Sequence, residues 1–165
     1  MASSALMDGF LAFSAEATAF STFELLGTGE ADAYLEAVLG VVGDSVLQEL
    51  IDAHAKISGS GDKRESQIRR QILDDPKLGP IARNLIKMWF AGVWYEIPAA
   101  WKTAYGDLEN DNTFTVRASA YTEGLLWKTI GANPPGAKSP GYGSWADPPR
   151  IPDPSQDFSL LKVRR

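Results

Sequence analysis

Proline placement sets the first limit on what this chain can fold into. Of its ten prolines, seven fall between positions 134 and 154: Pro134, Pro135, Pro140, Pro148, Pro149, Pro152 and Pro154. Gly136, Gly141 and Gly143 lie among them. Proline fixes φ and has no N–H to donate, so a regular helix cannot run through this stretch and a central strand is disfavoured. Tyr142 and Trp145 nevertheless sit inside it. A solvated linker has little use for two large aromatics. The segment therefore reads as an extended arm that packs on a surface, of its own core, of a partner, or of both.

Upstream the pattern is helical. Asp8 to Phe20 carries Phe10, Leu11, Phe13, Ala17 and Phe20 near one face, with Asp8 as the expected N-cap. Leu26-Gly27-Thr28-Gly29 reads as a link, with Thr28 capping a helix that holds Glu30 and Asp32 in its first turn. Leu35, Val38, Leu39 and Val42 form that helix's apolar stripe, and Gly43 is the expected stop. Asp44 restarts a helix through Val46, Leu47, Leu50, Ile51, His54 and Ile57, and Ser58 to Gly61 is a break. A shorter basic helix runs from Asp62 to Leu73 and ends at Pro76. The clearest signal follows: Leu78, Ile81, Leu85, Ile86, Trp89, Phe90 and Val93 match the i, i+3/4, i+7 template, and Pro98 ends or kinks the helix. Asp107 to Asn112 is a polar loop, and Val116 to Ile130 reads as a last helix. The expectation is a single all-α domain over 1–165. A compact bundle of about five to six helices occupies 8–131, and a long irregular Pro/Gly-rich arm and tail occupy 132–165.

Composition removes several kinds of chemistry. The 165 residues include no cysteine and one histidine, and the net charge is −5. Thiolate metal sites, disulfides and covalent c-type haem are excluded. The acidic balance argues against general nucleic-acid binding, which needs a positive footprint. No stretch reaches the roughly 18 apolar residues of a membrane span. The opening MASSALMDGF has neither a basic region nor an apolar run before Asp8, so it carries no export signal and leaves a cytoplasmic location open.

No catalytic constellation emerges. His54 lies on the apolar stripe of its helix and reads as a structural histidine. Asp107, Glu109, Asp111 and Asn112 follow a calcium loop only loosely and read as a solvated turn. Gly27-Thr28-Gly29 and Gly59-Ser60-Gly61 read as helix links, not phosphate cradles. Asp74-Asp75 reads as a stop signal. Glu96 and Glu123, set among aromatics, are the least ordinary acids. No catalytic, cofactor-binding or metal residue is assigned.

Aromatic density is the feature that asks for an explanation. Trp89, Phe90, Trp94, Tyr95, Trp101 and Tyr105 fall within one 17-residue window, followed by Tyr121, Trp127, Tyr142 and Trp145. Trp94, Tyr95 and Trp101 point to several sides of a helix apolar all round, which must be buried by its own domain or by a partner. Interfaces concentrate Trp, Tyr and Arg. Trp94, Tyr95, Trp101, Tyr121, Trp127, Tyr142, Trp145 and Arg150 are therefore the candidate interface residues. A stand-alone small-molecule binder using Glu96 or Glu123, and a homo-oligomer joined through the aromatic face, are the alternative readings.

The order of these motifs resembles one family. Phe10-Leu11-Ala12-Phe13-Ser14 opens the series, followed by Lys87-Met88-Trp89-Phe90-Ala91-Gly92-Val93-Trp94-Tyr95 and Ala120-Tyr121-Thr122-Glu123-Gly124. Pro134-Pro135-Gly136-Ala137-Lys138, then Pro140-Gly141-Tyr142-Gly143-Ser144-Trp145 and Pro148-Pro149, complete it. From about Phe10 to Pro152 the chain resembles the small subunit of membrane-bound FAD-dependent sorbitol, glucose and fructose dehydrogenases. That resemblance implies a non-catalytic chain that binds, stabilises and helps to mature and export a large FAD-dependent subunit of the glucose–methanol–choline type. FAD would sit in that partner and not in this chain. A cytochrome c subunit often completes such complexes. The implied location is the periplasm or a membrane-associated complex, reached by a twin-arginine signal that this sequence does not show before Asp8.

Overall fold

The structure is a computed structural model, and it describes residues 4–134 and residue 137. The fold is all-α, with a single two-residue ladder among the described residues. Helix α1 spans Ser4–Thr18, α2 Thr22–Gly27, α3 Ala31–Ala55 and α4 Gly61–Ile68. The last runs directly into a π-helical turn, Arg69–Leu73. Helix α5 spans Leu78–Ala91, α6 Ala99–Tyr105, α7 Ala118–Glu123 and α8 Leu125–Thr129. Strands β1 (Val93–Trp94) and β2 (Phe114–Thr115) pair antiparallel, Val93 opposite Thr115 and Trp94 opposite Phe114.

Helices α1, α3 and α5 pack on one another and hold the core. Trp89 sits at its centre, stacked on Phe10 (centroids 6.0 Å apart) and meeting the edge of Tyr34 at 4.8 Å. Such aromatic pairs add to the large apolar area each ring removes from water. Helix α3 has a break where glycine permits one: Gly43 takes φ 76° and ψ 168°, and the helix resumes at Asp44 as the apolar pattern requires. Residues Ser58 to Ser60 form the expected break before α4.

Several expectations are corrected. Helix α1 begins at Ser4, which puts Asp8 inside it and not at its cap. A short helix not expected from the sequence, α2, begins at Thr22 and takes in Leu26 and Gly27 of the segment read as a link. Its start is a full capping box: Glu24 N–H donates to Ser21 Oγ, and the Glu24 carboxylate accepts from Ser21 N–H. Thr28 therefore does not open α3 as a cap. Its hydroxyl donates to Leu25 O at 2.7 Å and accepts from Glu30 N–H at 3.1 Å, joining the end of α2 to the start of α3. The expected 116–130 helix is two pieces split at Gly124, where an added Cβ would lie 2.7 Å from Phe90 O.

The largest correction concerns α5. Its apolar periodicity continues into Val93, but the helix ends at Ala91. Gly92 adopts the left-handed conformation (φ 71°) and donates to Met88 O at 2.8 Å. The chain then extends as β1, so Trp94 and Tyr95 are not helical residues and the picture of a helix apolar all round does not hold.

The chain divides into two units, residues 1–132 and residues 133–165. Of the second unit, the described part contains one turn, in which Ala137 N–H donates to Pro134 O at 3.2 Å. Tyr142, Trp145 and Arg150, with most of the arm, lie outside the described residues.

Candidate partner-binding surface

Helix α2 has six residues, too few to hold together alone in water. Four features fix it. Leu25 is fully buried in the core, and the capping box secures the first turn. Glu24 also takes an ion pair from Lys128 of α8. Lys128 lies over the Phe20 ring, 5.3 Å from its centroid. The Lys128 ammonium beside Glu24, with the Ser21 N–H and hydroxyl, holds the Glu24 carboxyl down at about 2.

This support displays side chains outward. Phe23 is 85% exposed, and Leu26, on the same face three residues on, is also exposed. Leu126 of α8 and Ile130 (59%), the residue that follows the helix, are also exposed, while Leu125 is buried. The Glu24–Lys128 pair ties the two helices, and exposed apolar side chains lie on α2 and at the end of α8. Tyr121 of α7 is exposed too and meets the edge of Trp127 at 5.3 Å, and Trp127 donates its indole N–H to Tyr121 O at 2.6 Å.

The interface residues expected from the sequence divide by location. Trp94 and Trp101 are buried within the chain itself. Trp94 Nε1 donates to Asp111 at 2.9 Å, and Trp101 Nε1 donates to Lys77 O at 2.7 Å. Tyr95 (39% exposed) and Tyr121 are open, and Trp127 is half-buried. Tyr95 has Lys87 over its ring at 5.1 Å. Phe23, Leu26, Leu126 and Ile130 were not anticipated. The signal that could have found α2 is Ser21-x-x-Glu24, a capping-box spacing, ahead of an apolar segment too short to bury every side.

Three charged clusters surround the core, and in each the carboxylates are met by a cation of the same chain. Asp111, expected as part of a solvated turn, has a fully buried side chain. It accepts from Trp94 Nε1, from Ile97 N–H at 2.9 Å and from Lys102 Nζ at 3.0 Å. Glu96 is exposed and pairs with Lys102 at 2.9 Å, so it does not face an enclosed site. Glu96 first and Asp111 second raise the Lys102 ammonium above its ordinary range. Glu30 is buried and held in a two-point pair by Arg117, at 2.7 and 3.1 Å. Glu123 accepts from Thr122 Oγ1 at 3.4 Å. His54 is buried, edge-on to Phe13, and lies 2.6 Å from Glu16, which also takes Arg64 at 2.5 and 2.7 Å. The Arg64 guanidinium lowers the Glu16 carboxyl below its ordinary range, opposed by burial and helped by His54.

A cleft of about 340 Å³ borders this last cluster, lined by Glu16, Arg64, Glu65, Ile68, Arg69 and Leu73 among others. Its acids and guanidinium groups are equal in number, and the innermost pair, Glu16 with Arg64, is mutually satisfied. Among the described residues no group of three or more His, Asp or Glu side chains is placed to hold a metal ion. No helix among them is long and apolar enough to cross a membrane. Compared with known proteins, the chain matches no family model, no curated protein and no solved structure.

Proposed function

We propose that this chain is a non-catalytic helical subunit that docks on a larger protein. The observation that carries the reading is Phe23, an almost fully exposed phenylalanine on a short helix that capping, burial and an ion pair hold in place. A large apolar side chain displayed in water from a fixed helix costs solvation in the isolated chain and regains it on burial against a partner. The paired charges at Asp111, Glu30 and Glu16 fit this reading, because each of these carboxylates is held by a cation within the fold.

The motif order identifies the partner that we propose: a large FAD-dependent dehydrogenase subunit of the glucose–methanol–choline type, acting on a sugar or alcohol. FAD and substrate belong to that subunit, and a cytochrome c subunit accepts its electrons. This chain stabilises the flavoprotein and accompanies it to the periplasm. The test is to express a flavoprotein of this type from the same source with and without this chain, and to measure dye-linked dehydrogenase activity and FAD content. Higher yield and activity on co-expression are expected. Equal activity in both preparations would sink the proposal.

A further inference from the structure

We infer that the cleft beside α4 is a binding site for a free α-amino acid with an apolar side chain, which places its ammonium group on Glu65 and its carboxylate on Arg69. Ligand binding here is independent of the partner-binding reading above, and each can hold without the other.

Charge and size select the ligand. The cleft, about 340 Å³, lies at the lower end of the range of small-molecule sites. Ala17, Ile68, Leu73 and Ile86 give it apolar lining, and two carboxylates, Glu16 and Glu65, border it with two guanidinium groups, Arg64 and Arg69. Glu16 and Arg64 are occupied with each other, at 2.5 and 2.7 Å, and Arg64 also donates to Ile57 O. Glu65 and Arg69 are different. Among the described residues neither of their charged groups has a hydrogen-bond or ion-pair partner. They stand four positions apart, where Arg69 N–H donates to Glu65 O, so they neighbour each other one helical turn apart. A simple anion would meet two carboxylates here, and a simple cation two guanidinium groups. A zwitterion meets one open group of each sign. An α-amino acid carries both charges on one carbon, next to its side chain. Its carboxylate suits the planar fork of an arginine, and both contacts are charge-assisted hydrogen bonds. The apolar lining takes the side chain out of water.

The backbone adds a second feature at the same place. Arg69–Leu73 is a π-helical turn, closed by Asp74 N–H donating to Arg69 O at 2.7 Å. Single π turns are rare and are frequent at functional sites. This one sets Arg69 and Leu73, its first and last residues, on the cleft while Ile72 is fully buried in the core. Arg83 fixes its end by donating to Leu73 O at 2.5 Å. The wall made by Glu16 of α1 and Arg64 of α4 is fixed as well, with His54 of α3 2.6 Å from the same carboxylate. A ligand therefore meets walls already set, which limits the ordering loss on binding.

The experiment titrates L-leucine into the full chain and follows backbone amide shifts by NMR. Saturable shifts between Gly61 and Leu73 are expected, with Kd on the order of 1 mM or tighter for a ligand of this size. Isocaproate and isoamylamine each lack one of leucine's two charges and should bind roughly 10-fold more weakly, the scale of one charged hydrogen bond. Glycine, which lacks the apolar side chain, should bind roughly 10-fold more weakly too. Arg69→Met and Glu65→Gln should each raise the leucine Kd by about 10-fold. Both residues are exposed, so both variants should melt with the wild type, which separates binding from folding. Isocaproate or isoamylamine binding as tightly as leucine would make this a plain ion site and overturn the inference. So would equal binding of glycine, or leucine binding that neither variant weakens. No saturable shift at the cleft with L-leucine, L-valine or L-phenylalanine at their solubility limits would overturn it outright. None of these results bears on flavoprotein co-expression, so the amino-acid site and the partner-binding reading fail separately.

Discussion

Replacing Asp111 with alanine removes one carboxylate and strands two buried donors. The Trp94 indole N–H and the Ile97 amide, bonded to Asp111 at 2.9 Å each, lie where side chain and backbone are shielded from water. Leaving one buried donor unsatisfied costs about 1–3 kcal/mol. Lys102 also loses a partner, but it is partly exposed and keeps Glu96, so its share is small. The two donors together set an expected loss of about 3 kcal/mol, in the lower half of the summed range. For a chain of this length that lowers the melting midpoint by about 6–12 °C. Urea unfolding followed by circular dichroism at constant pH measures it. Asp111→Asn keeps a carbonyl oxygen that can accept from one of the donors, so it should lose about half as much. A loss below about 1 kcal/mol for Asp111→Ala, or an asparagine variant no better than alanine, would refute the assignment of Asp111 as the tie between β1, the turn before α6 and the 107–112 loop.

Other perturbations test separate parts of the structure. Gly92 and Gly29 share φ +71°, but a Cβ at 92 would lie 2.6 Å from Ala120 Cβ whereas at 29 it meets nothing within 4 Å. Gly29→Ala should therefore cost about 1 kcal/mol for conformation alone and Gly92→Ala at least about 2 kcal/mol more, and equal losses in denaturant unfolding would contradict the contact. The Glu24 carboxyl is lowered from 4.5 to about 2, so its contribution is complete above pH 4.5 and disappears as the pH falls toward 2. Carboxyl NMR titration should show that low midpoint, and Lys128→Met should raise it, since Lys128 is the main cause; an unmoved midpoint counts against the α2–α8 bridge. Tyr34 Oη is buried without a hydrogen-bond partner, and burial raises its phenol above the ordinary range. Tyr34→Phe should be neutral or stabilising by up to about 1 kcal/mol in thermal unfolding, and a loss larger than that would mean the hydroxyl is satisfied.

Local signals in the sequence were good guides to local structure. The apolar spacing of Leu78 through Phe90 places α5, and Gly43 marks a break that occurs where expected. The end of α5 was harder, because Val93 continues its apolar face. The decisive feature is Gly92, whose left-handed conformation stops the helix while the hydrophobic pattern runs on. Trp94 then turns inward on a strand, and its polar end is met by Asp111, 17 positions away. Glu16 with Arg64 and Glu30 with Arg117 are 48 and 87 positions apart. Nothing in a local window marks such pairs, so buried acids looked like surface acids. The exposure of Phe23 was overlooked for a related reason: whether it is core or surface depends on which side Leu25 takes, and only packing decides that.

Gly92 and Gly124 each stand where the backbone around α7 comes against the end of α5. A methyl group at 92 would press on Ala120, and one at 124 would press on the carbonyl of Phe90. The seam thus requires small residues at 92, 120 and 124 together, a property that hydrophobicity scales do not register. Descendants of this chain could exchange most of its core for residues of similar volume, but drift at these three positions would be coupled. Enlarging any one would push α7 off α5 and draw α8 away from α2, at the expense of the Glu24–Lys128 pair.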